Sequence, residues 1–219
     1  MRFIWCAFGI SATLFIGLSD ASGLMRPDLD KVFSRPLIVG ASVSVGMLAT
    51  GPGDIAARLV NGGSNTVNVA ENGAKGKQLG NISSESLAEY SVIIGVDYLF
   101  WDSIERDPTE SLRALRNLVR SARKAGVPLV LGDIPKLVSE QVEASRAKLN
   151  GQIHAQCRRE RRCYVLEIDK LHRQASGPGI VIGEYLYRFA DLTVDGLHTN
   201  RFANDYLARK IISLLSSNE

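Results

Sequence analysis

The chain has 219 residues, of which 45% are hydrophobic and 22% are charged. This composition is typical of a globular protein and suffices for one domain with a sizeable core, without requiring a second domain. The formal net charge of +3 is small for this length, so charge alone gives no reason to expect a nucleic-acid partner.

The first 23 residues are predicted to be a signal peptide. Met1 and Arg2 precede an apolar run over residues 3–18, and small residues follow near Ala21. A basic start, an apolar stretch and a small-residue cleavage point are the three parts of an export signal. An uncleaved anchor is less favoured, because a membrane-spanning helix needs about 20 apolar residues. We therefore expect a periplasmic or secreted domain over residues 24–219, without a stable membrane anchor after signal cleavage.

A short strand is predicted at residues 37–39, between Pro36 and Gly40. Its continuous apolar character suits a strand that is buried on both faces of a parallel sheet. Gly40 allows a sharp turn and leaves Ser42 at the carboxyl end of the strand, where open α/β sheets bind ligands. Ser42 is therefore a candidate nucleophile, provided that a base removes its proton.

Strands and helices alternate along the rest of the chain. Further strands are predicted over residues 65–69, 90–95, 127–131 and 163–168, and helices over residues 54–60, 108–126, 137–156 and 202–215. Such β/α alternation predicts a parallel sheet of about five strands with helices on both faces, which is a three-layer α/β/α fold.

Two loops after predicted strands carry possible ligand-binding residues. The glycine loop at residues 73–76 has neither phosphate-binding glycine pattern, so no nucleotide cofactor is expected. The aromatic segment at residues 98–102 supports two interpretations equally. Tyr98 and Trp101 could line a substrate cleft, or the segment could serve core packing through Leu99 and Phe100.

Two cysteines remain after signal cleavage. Cys157 and Cys163 are separated by five residues, and in an oxidising compartment they can form a disulfide with a structural role. Two thiols cannot complete a structural zinc site, and neither His154 nor His172 has metal-ligand spacing to them. We therefore predict no metal site.

The candidate base lies near the other end of the chain. Asp195 precedes His198 by three residues, just before the last predicted helix. One short loop could thus carry both a general base and the carboxylate that orients it.

These residues resemble the motifs of the SGNH hydrolases, also called GDSL-type esterases and lipases. The family's Gly-Asp-Ser-x-Ser-x-Gly block is similar to residues 40–46, with Ala41 in place of the usual aspartate, and its Asp-x-x-His block is similar to residues 195–198. Its second block resembles residues 68–74 and points to Gly73. Its Gly-x-Asn-Asp block resembles residues 95–98, with Asp97 at the position of the oxyanion asparagine. The resemblance spans roughly residues 36–215 in the family's order.

The resemblance implies a flavodoxin-like strand order and a cofactor-free serine esterase. It assigns Ser42 as the nucleophile in preference to Ser44, His198 as the base and Asp195 as the orienting acid. The N–H groups of Ser42 and Gly73 would then bind the oxyanion.

Asp97 leaves three alternatives open, because an ionised carboxylate cannot donate to an oxyanion. It could stay protonated and donate, it could point away and leave the oxyanion to backbone N–H groups, or the protein could be a weak or inactive relative.

The predicted substrate is a small-molecule or glycan ester. The alternatives to an esterase are a non-catalytic or weakly active binding protein of the same fold and an O-acyltransferase that acts on a glycan.

Overall fold

The computed structural model describes residues 28–79, 82–136 and 142–217. Its central sheet contains strands β1 (Pro36–Ile38), β2 (Val67–Asn68), β3 (Val92–Gly95), β4 (Leu129–Gly132) and β5 (Cys163–Leu166). Neighbouring strands are parallel throughout, in the order β2-β1-β3-β4-β5. This is the flavodoxin-like order, so the predicted fold class is confirmed.

The helices surround this sheet. In chain order they are α1 (Leu29–Val32), α2 (Ser42–Val45), α3 (Pro52–Asn61), α4 (Gly76–Leu79), α5 (Ser84–Leu87), α6 (Thr109–Ala125), α7 (Glu143–Cys157), α8 (Ile168–Ser176), α9 (Phe189–Leu192) and α10 (Arg201–Ser216), with a 3₁₀ turn at Trp101–Ile104. The four predicted helices are confirmed as α3, α6, α7 and α10, to within a few residues. Residues 137–141 of the third predicted helix lie outside the described residues.

Two hydrophobic layers hold the helices to the sheet. In β3, Ile93 packs with the apolar side chains of α6 and α7 on one face. Its neighbours Val92 and Ile94 pack with α3 and α10 on the other face. Alternate side chains of a strand point to opposite faces, so a short apolar strand can serve both layers at once.

The region after β5 differs from the sequence prediction. The strand predicted over residues 163–168 ends at Leu166, and α8 begins at Ile168. An antiparallel hairpin of β6 (Ile180–Ile182) and β7 (Tyr185–Tyr187) follows, where no strands were predicted. The strand ends at Leu166, which is the last residue to pair with β4, and in α8 the Asp169 N–H donates to the buried carboxylate of Asp133 at 2.7 Å. This contact between distant residues leaves no local trace in the sequence.

A disulfide joins the end of α7 to the start of β5. It links Cys157 to Cys163 and closes a tight turn. Four exposed arginines occupy that turn, namely Arg158, Arg159, Arg161 and Arg162. The turn leads into β5, which is the last strand on its side of the sheet.

The predicted signal peptide at residues 1–23 lies outside the described residues. Across residues 28–79, 82–136 and 142–217, no helix combines the length and apolar character needed to cross a bilayer.

Candidate active site

Ser42 is the first residue of α2, at the carboxyl end of β1. Gly40 makes the turn between them with a φ of 138°, in the region that favours glycine. A Cβ at Gly40 would also collide with the carboxylate of Asp97 and the side chain of Ser44. The turn therefore requires glycine for both its conformation and its close packing.

Asp97 fastens this turn from the end of the neighbouring strand β3. Its Oδ1 accepts hydrogen bonds from the Ala41 N–H at 2.8 Å and the Ser44 hydroxyl at 2.5 Å, and its Oδ2 accepts from the Val43 N–H at 2.8 Å. Burial raises the pKa of the Asp97 carboxyl, while the hydrogen bonds from Ser44 and the backbone act in the opposite direction. Both carboxylate oxygens of Asp97 thus accept hydrogen bonds from the turn around Ser42.

The Ser42 N–H is left out of this network. It stands at the first position of a helix, where an N–H has no partner within the helix, and no acceptor for it is found among the described residues. It therefore stays available to a ligand next to the Ser42 hydroxyl.

Asp195 and His198 lie on the loop before α10. The loop is closed by a bridge between Thr193 and Thr199. Asp195 Oδ1 accepts from the N–H groups of Leu197 and His198 at 3.0 and 2.7 Å, and its Oδ2 lies 2.7 Å from His198 Nδ1. These bonds hold the pKa of the Asp195 carboxyl well below its usual range, so the group is ionised.

The two ends of the chain meet at His198. Its Nε2 lies 3.0 Å from the Ser42 Oγ, although the two residues are separated by 156 positions in sequence. The Ser42 side chain is largely buried, and that of His198 is 12% exposed. The structure therefore brings Ser42, His198 and Asp195 into one chain of hydrogen bonds, in the geometry needed for proton transfer from serine to imidazole.

Asn204 connects the His198 loop to the nucleophile side of the site. It is buried in α10, its Oδ1 accepts from the Thr199 hydroxyl, and its Nδ2 donates to the Thr50 carbonyl at 3.0 Å. Thr50 lies in the segment that follows α2. No local sequence pattern marks Asn204, because both of its partners depend on the tertiary fold.

Gly73 lies in an exposed turn with a φ of 73°. The loop that carries it is tied to the nucleophile turn, because the Glu71 N–H donates to the Gly40 carbonyl at 3.1 Å. Gly73 is not among the residues that line the cavity at Ser42.

An apolar cavity of about 60 Å³ opens beside Ser42 and His198, and it is called the first cavity below. Leu99, Phe100 and Ile134 are among the residues of its wall. Asp97 and Asp133 also reach it, but both carboxylates are held by protein hydrogen bonds. Its chemistry favours a small apolar group next to the Ser42 hydroxyl.

This cavity corrects the proposed roles of two aromatic residues. Tyr98 is 1% exposed in the core, and its hydroxyl donates to the Gly76 carbonyl at 3.0 Å, so it does not reach the cavity. Trp101 packs edge-on against Phe100 and likewise does not line it. Leu99 and Phe100 pack in the core, as one of the two interpretations predicted, and they also form part of the cavity wall. The path of the chain after β3 decides which side chains of this segment face the cavity.

Ser44, the rival nucleophile, is 1% exposed and donates to Asp97, away from His198. Within the described ranges, no group of three or more histidine, cysteine, aspartate or glutamate side chains comes together in a way that could hold a metal ion.

No family model matches the sequence, and a search of the curated proteins finds no relative. Solved structures do share the fold. The psychrotrophic esterase EstA from Pseudoalteromonas sp. aligns over 83% of this chain and 96% of its own, with 13% identity and a TM-score of 0.56. A protein from Parabacteroides merdae described as a GDSL-like lipase aligns over 82% and 94%, with 11% identity and a TM-score of 0.57.

Axe2, an acetylxylan esterase from Geobacillus stearothermophilus, covers 84% of this chain and 94% of its own, with 12% identity and a TM-score of 0.53. At these identities the likeness establishes the fold. The resemblance to the SGNH hydrolases, first drawn from short motifs, is thereby confirmed at the level of the fold.

Proposed function

We propose that this protein is a serine hydrolase that cleaves carboxylic esters. The observation that carries the proposal is the continuous hydrogen-bond chain from Ser42 through His198 to Asp195, located at the carboxyl edge of the sheet and beside an apolar cavity. The fold shared with known esterases supports the same conclusion.

In the proposed reaction, the Ser42 Oγ attacks the ester carbonyl while His198 Nε2 takes the hydroxyl proton. Asp195 holds the imidazole in the required tautomer and stabilises its charged form. His198 then protonates the departing alcohol, which leaves an acyl group on Ser42. Water attacks this acyl enzyme with His198 again acting as the base, and the carboxylic acid is released.

The oxyanion is proposed to bind backbone N–H groups. The free N–H of Ser42 supports this assignment, and Gly73 would supply a second donor from its tethered loop. Each preorganised donor of this kind is worth about a hundredfold in rate. Asp97 is assigned a positioning role, because both of its oxygens already accept hydrogen bonds from the turn.

Export to the periplasm or the medium remains part of the proposal. It is supported by the leader pattern in the first 23 residues and by a cysteine pair that an oxidising compartment would keep closed.

Covalent labelling with a fluorophosphonate tests the nucleophile. A phosphonate is a suitable probe because the neighbouring esterase EstA was solved inhibited by monoethylphosphonate. We expect labelling of the wild type, loss of labelling in Ser42→Ala, and a fall in ester hydrolysis of about 10⁴-fold or more. Ser64→Ala, at an exposed serine outside the site, is the matched control and should behave like the wild type.

A folded wild-type protein that takes no label would overturn the proposal and favour an esterase-like binding protein. If labelling succeeds, competition between water and added methanol or sugar shows whether the acyl group goes to water or to a glycan acceptor.

A further inference from the structure

A second apolar cavity lies behind the His198 loop. Its volume is about 80 Å³, and it is lined by residues of α8, α9, α10 and strand β6. Ala175, Ile180 and Leu192 are buried in its wall. It is called the second cavity below.

The two cavities share part of their walls. The residues that line both are Pro135, Ile168, Leu197, Thr199 and Leu207. Leu197 and Thr199 stand on either side of His198 in sequence. A ligand that occupies both cavities would therefore contact the residues that flank the proposed base.

The wall of the second cavity carries no charged side chain. Its polar members are His172, Tyr206 and the hydroxyls of Thr193 and Thr199. His172 stacks edge-on against Phe189, and burial lowers the pKa of its imidazole, which keeps it neutral. Such a wall suits a hydrocarbon and offers few partners for the hydroxyls of a sugar.

The acyl part of an ester is the better candidate for this space. In the proposed reaction the alcohol must leave and be replaced by water at His198, so its path has to stay open to solvent. The acyl group stays bonded to Ser42 during that exchange. It is thus the part of the substrate that an adjoining apolar space can hold throughout.

We propose that the two cavities form one acyl-chain site, and that the substrate is an ester of an aliphatic carboxylic acid whose chain passes Leu197 into the second cavity. This inference rests on the proposed function, since it deepens the substrate class of the same site. Each methylene that enters the apolar space should raise kcat/KM by about fourfold until the second cavity is full.

The test is a series of 4-nitrophenyl esters from acetate to decanoate. We expect kcat/KM of the wild type to rise from acetate to octanoate. Ala175→Leu, which adds bulk to the wall of the second cavity, should lower the octanoate-to-acetate ratio about tenfold. Ile180→Phe fills the same space from β6 and serves as the second variant. Ala122→Leu adds equal bulk to a buried position of α6, far from Ser42, and should leave the ratio unchanged.

Alkyl acetates of increasing alcohol length form the second arm. Chain-length dependence in the alkyl acetates but not in the acyl esters would overturn the acyl assignment. An equal ratio in the wild type and in both cavity variants would overturn the shared site, even if acetate is hydrolysed and Ser42 is labelled. Failure of the proposed function itself looks different, because no ester would be cleaved and no label would be taken up.

Discussion

The proposed nucleophile and the proposed base are held in place by different kinds of contact. The turn around Ser42 is buried and is fastened by Asp97, which lies more than 50 residues away on the next strand. The loop around His198 is more exposed and is fastened mainly by Asp195, three residues from the histidine. Half of the site is therefore part of the core, while the other half is a local structure placed on its edge. This difference predicts that mutations in the two regions will affect stability and activity in different proportions.

Apart from replacement of Ser42 itself, the largest effect on activity is expected from the exposed loop. Asp195→Asn should lower kcat by about 10³- to 10⁴-fold, because the amide no longer selects the tautomer or stabilises the charged imidazole. The free energy of unfolding should change little, since the side chain is exposed and the amide Oδ1 can still accept from the Leu197 and His198 N–H groups. Ester hydrolysis and urea unfolding measure the two quantities, with Asp205→Asn as a control outside the site.

The pKa of Asp195 sharpens this test. Its hydrogen bonds hold the pKa of the Asp195 carboxyl well below the usual aspartate value of about 3.9, so the carboxylate stays ionised through mildly acidic pH. Its contribution to stability is present above that usual value and is lost only as the pH falls below it. A large loss of stability in Asp195→Asn at neutral pH would contradict the view of this loop as a local structure.

A substitution in the buried turn should lower both stability and activity. In Asp97→Asn one acceptor oxygen becomes an NH₂ group, so at least one backbone N–H of the turn faces a donor. We expect the free energy of unfolding to fall by about 2 kcal/mol and kcat to fall about 10- to 100-fold. Urea unfolding and hydrolysis of a short-chain ester measure these changes, and Asp30→Asn, at an exposed position, is the control.

A rise in activity of Asp97→Asn would mean that an amide at this position restores an oxyanion donor, and the positioning role would be wrong. The pH dependence gives a second check. Because burial raises the pKa of Asp97, its contribution to stability decreases as the pH rises from about 4 through the raised value. The asparagine variant should lack that decrease.

The disulfide provides a reference outside both regions. Reduction, or the double substitution Cys157→Ser with Cys163→Ser, should lower the free energy of unfolding by about 2 kcal/mol. The reason is that the unfolded chain gains conformational freedom when the crosslink is absent. Activity at low temperature should be unchanged, because neither cysteine lines the first cavity. Thermal unfolding with and without reductant measures the first effect. A matching loss of activity well below the melting temperature would show that the turn influences the site.

Among the substitutions at the site, the smallest effect on kcat is expected from the residue that joins the two regions. Asn204→Ala removes hydrogen bonds to Thr199 and to the Thr50 carbonyl, so the base should be less well aligned with Ser42. We expect kcat to fall by about five- to tenfold with little change in KM, measured in steady-state hydrolysis. Asn65→Ala, in an exposed turn, is the control. An increase in KM alone would place Asn204 in substrate binding instead.

The sequence predicted what depends on local pattern. The buried strands, the long helices and the short loop with Asp195 and His198 each carry a signal within a few residues. Asp97 could be placed near the site but its partners could not, because Ala41 and Val43 reach it only through the pairing of β1 with β3. The burial of Tyr98 could not be predicted for the same reason, since a one-residue shift decides which side chain faces the core.

The arginine-rich turn before β5 has a consequence for how this molecule meets its own copies. A terminal strand exposes unpaired backbone groups that invite another chain to extend the sheet. Strand β5, at this edge of the sheet, begins next to four cationic side chains, so two copies approaching along their β5 edges would repel each other. The short covalent ring thus keeps a turn of net positive charge, in which Glu160 offsets one of the four arginines, beside this edge of the sheet.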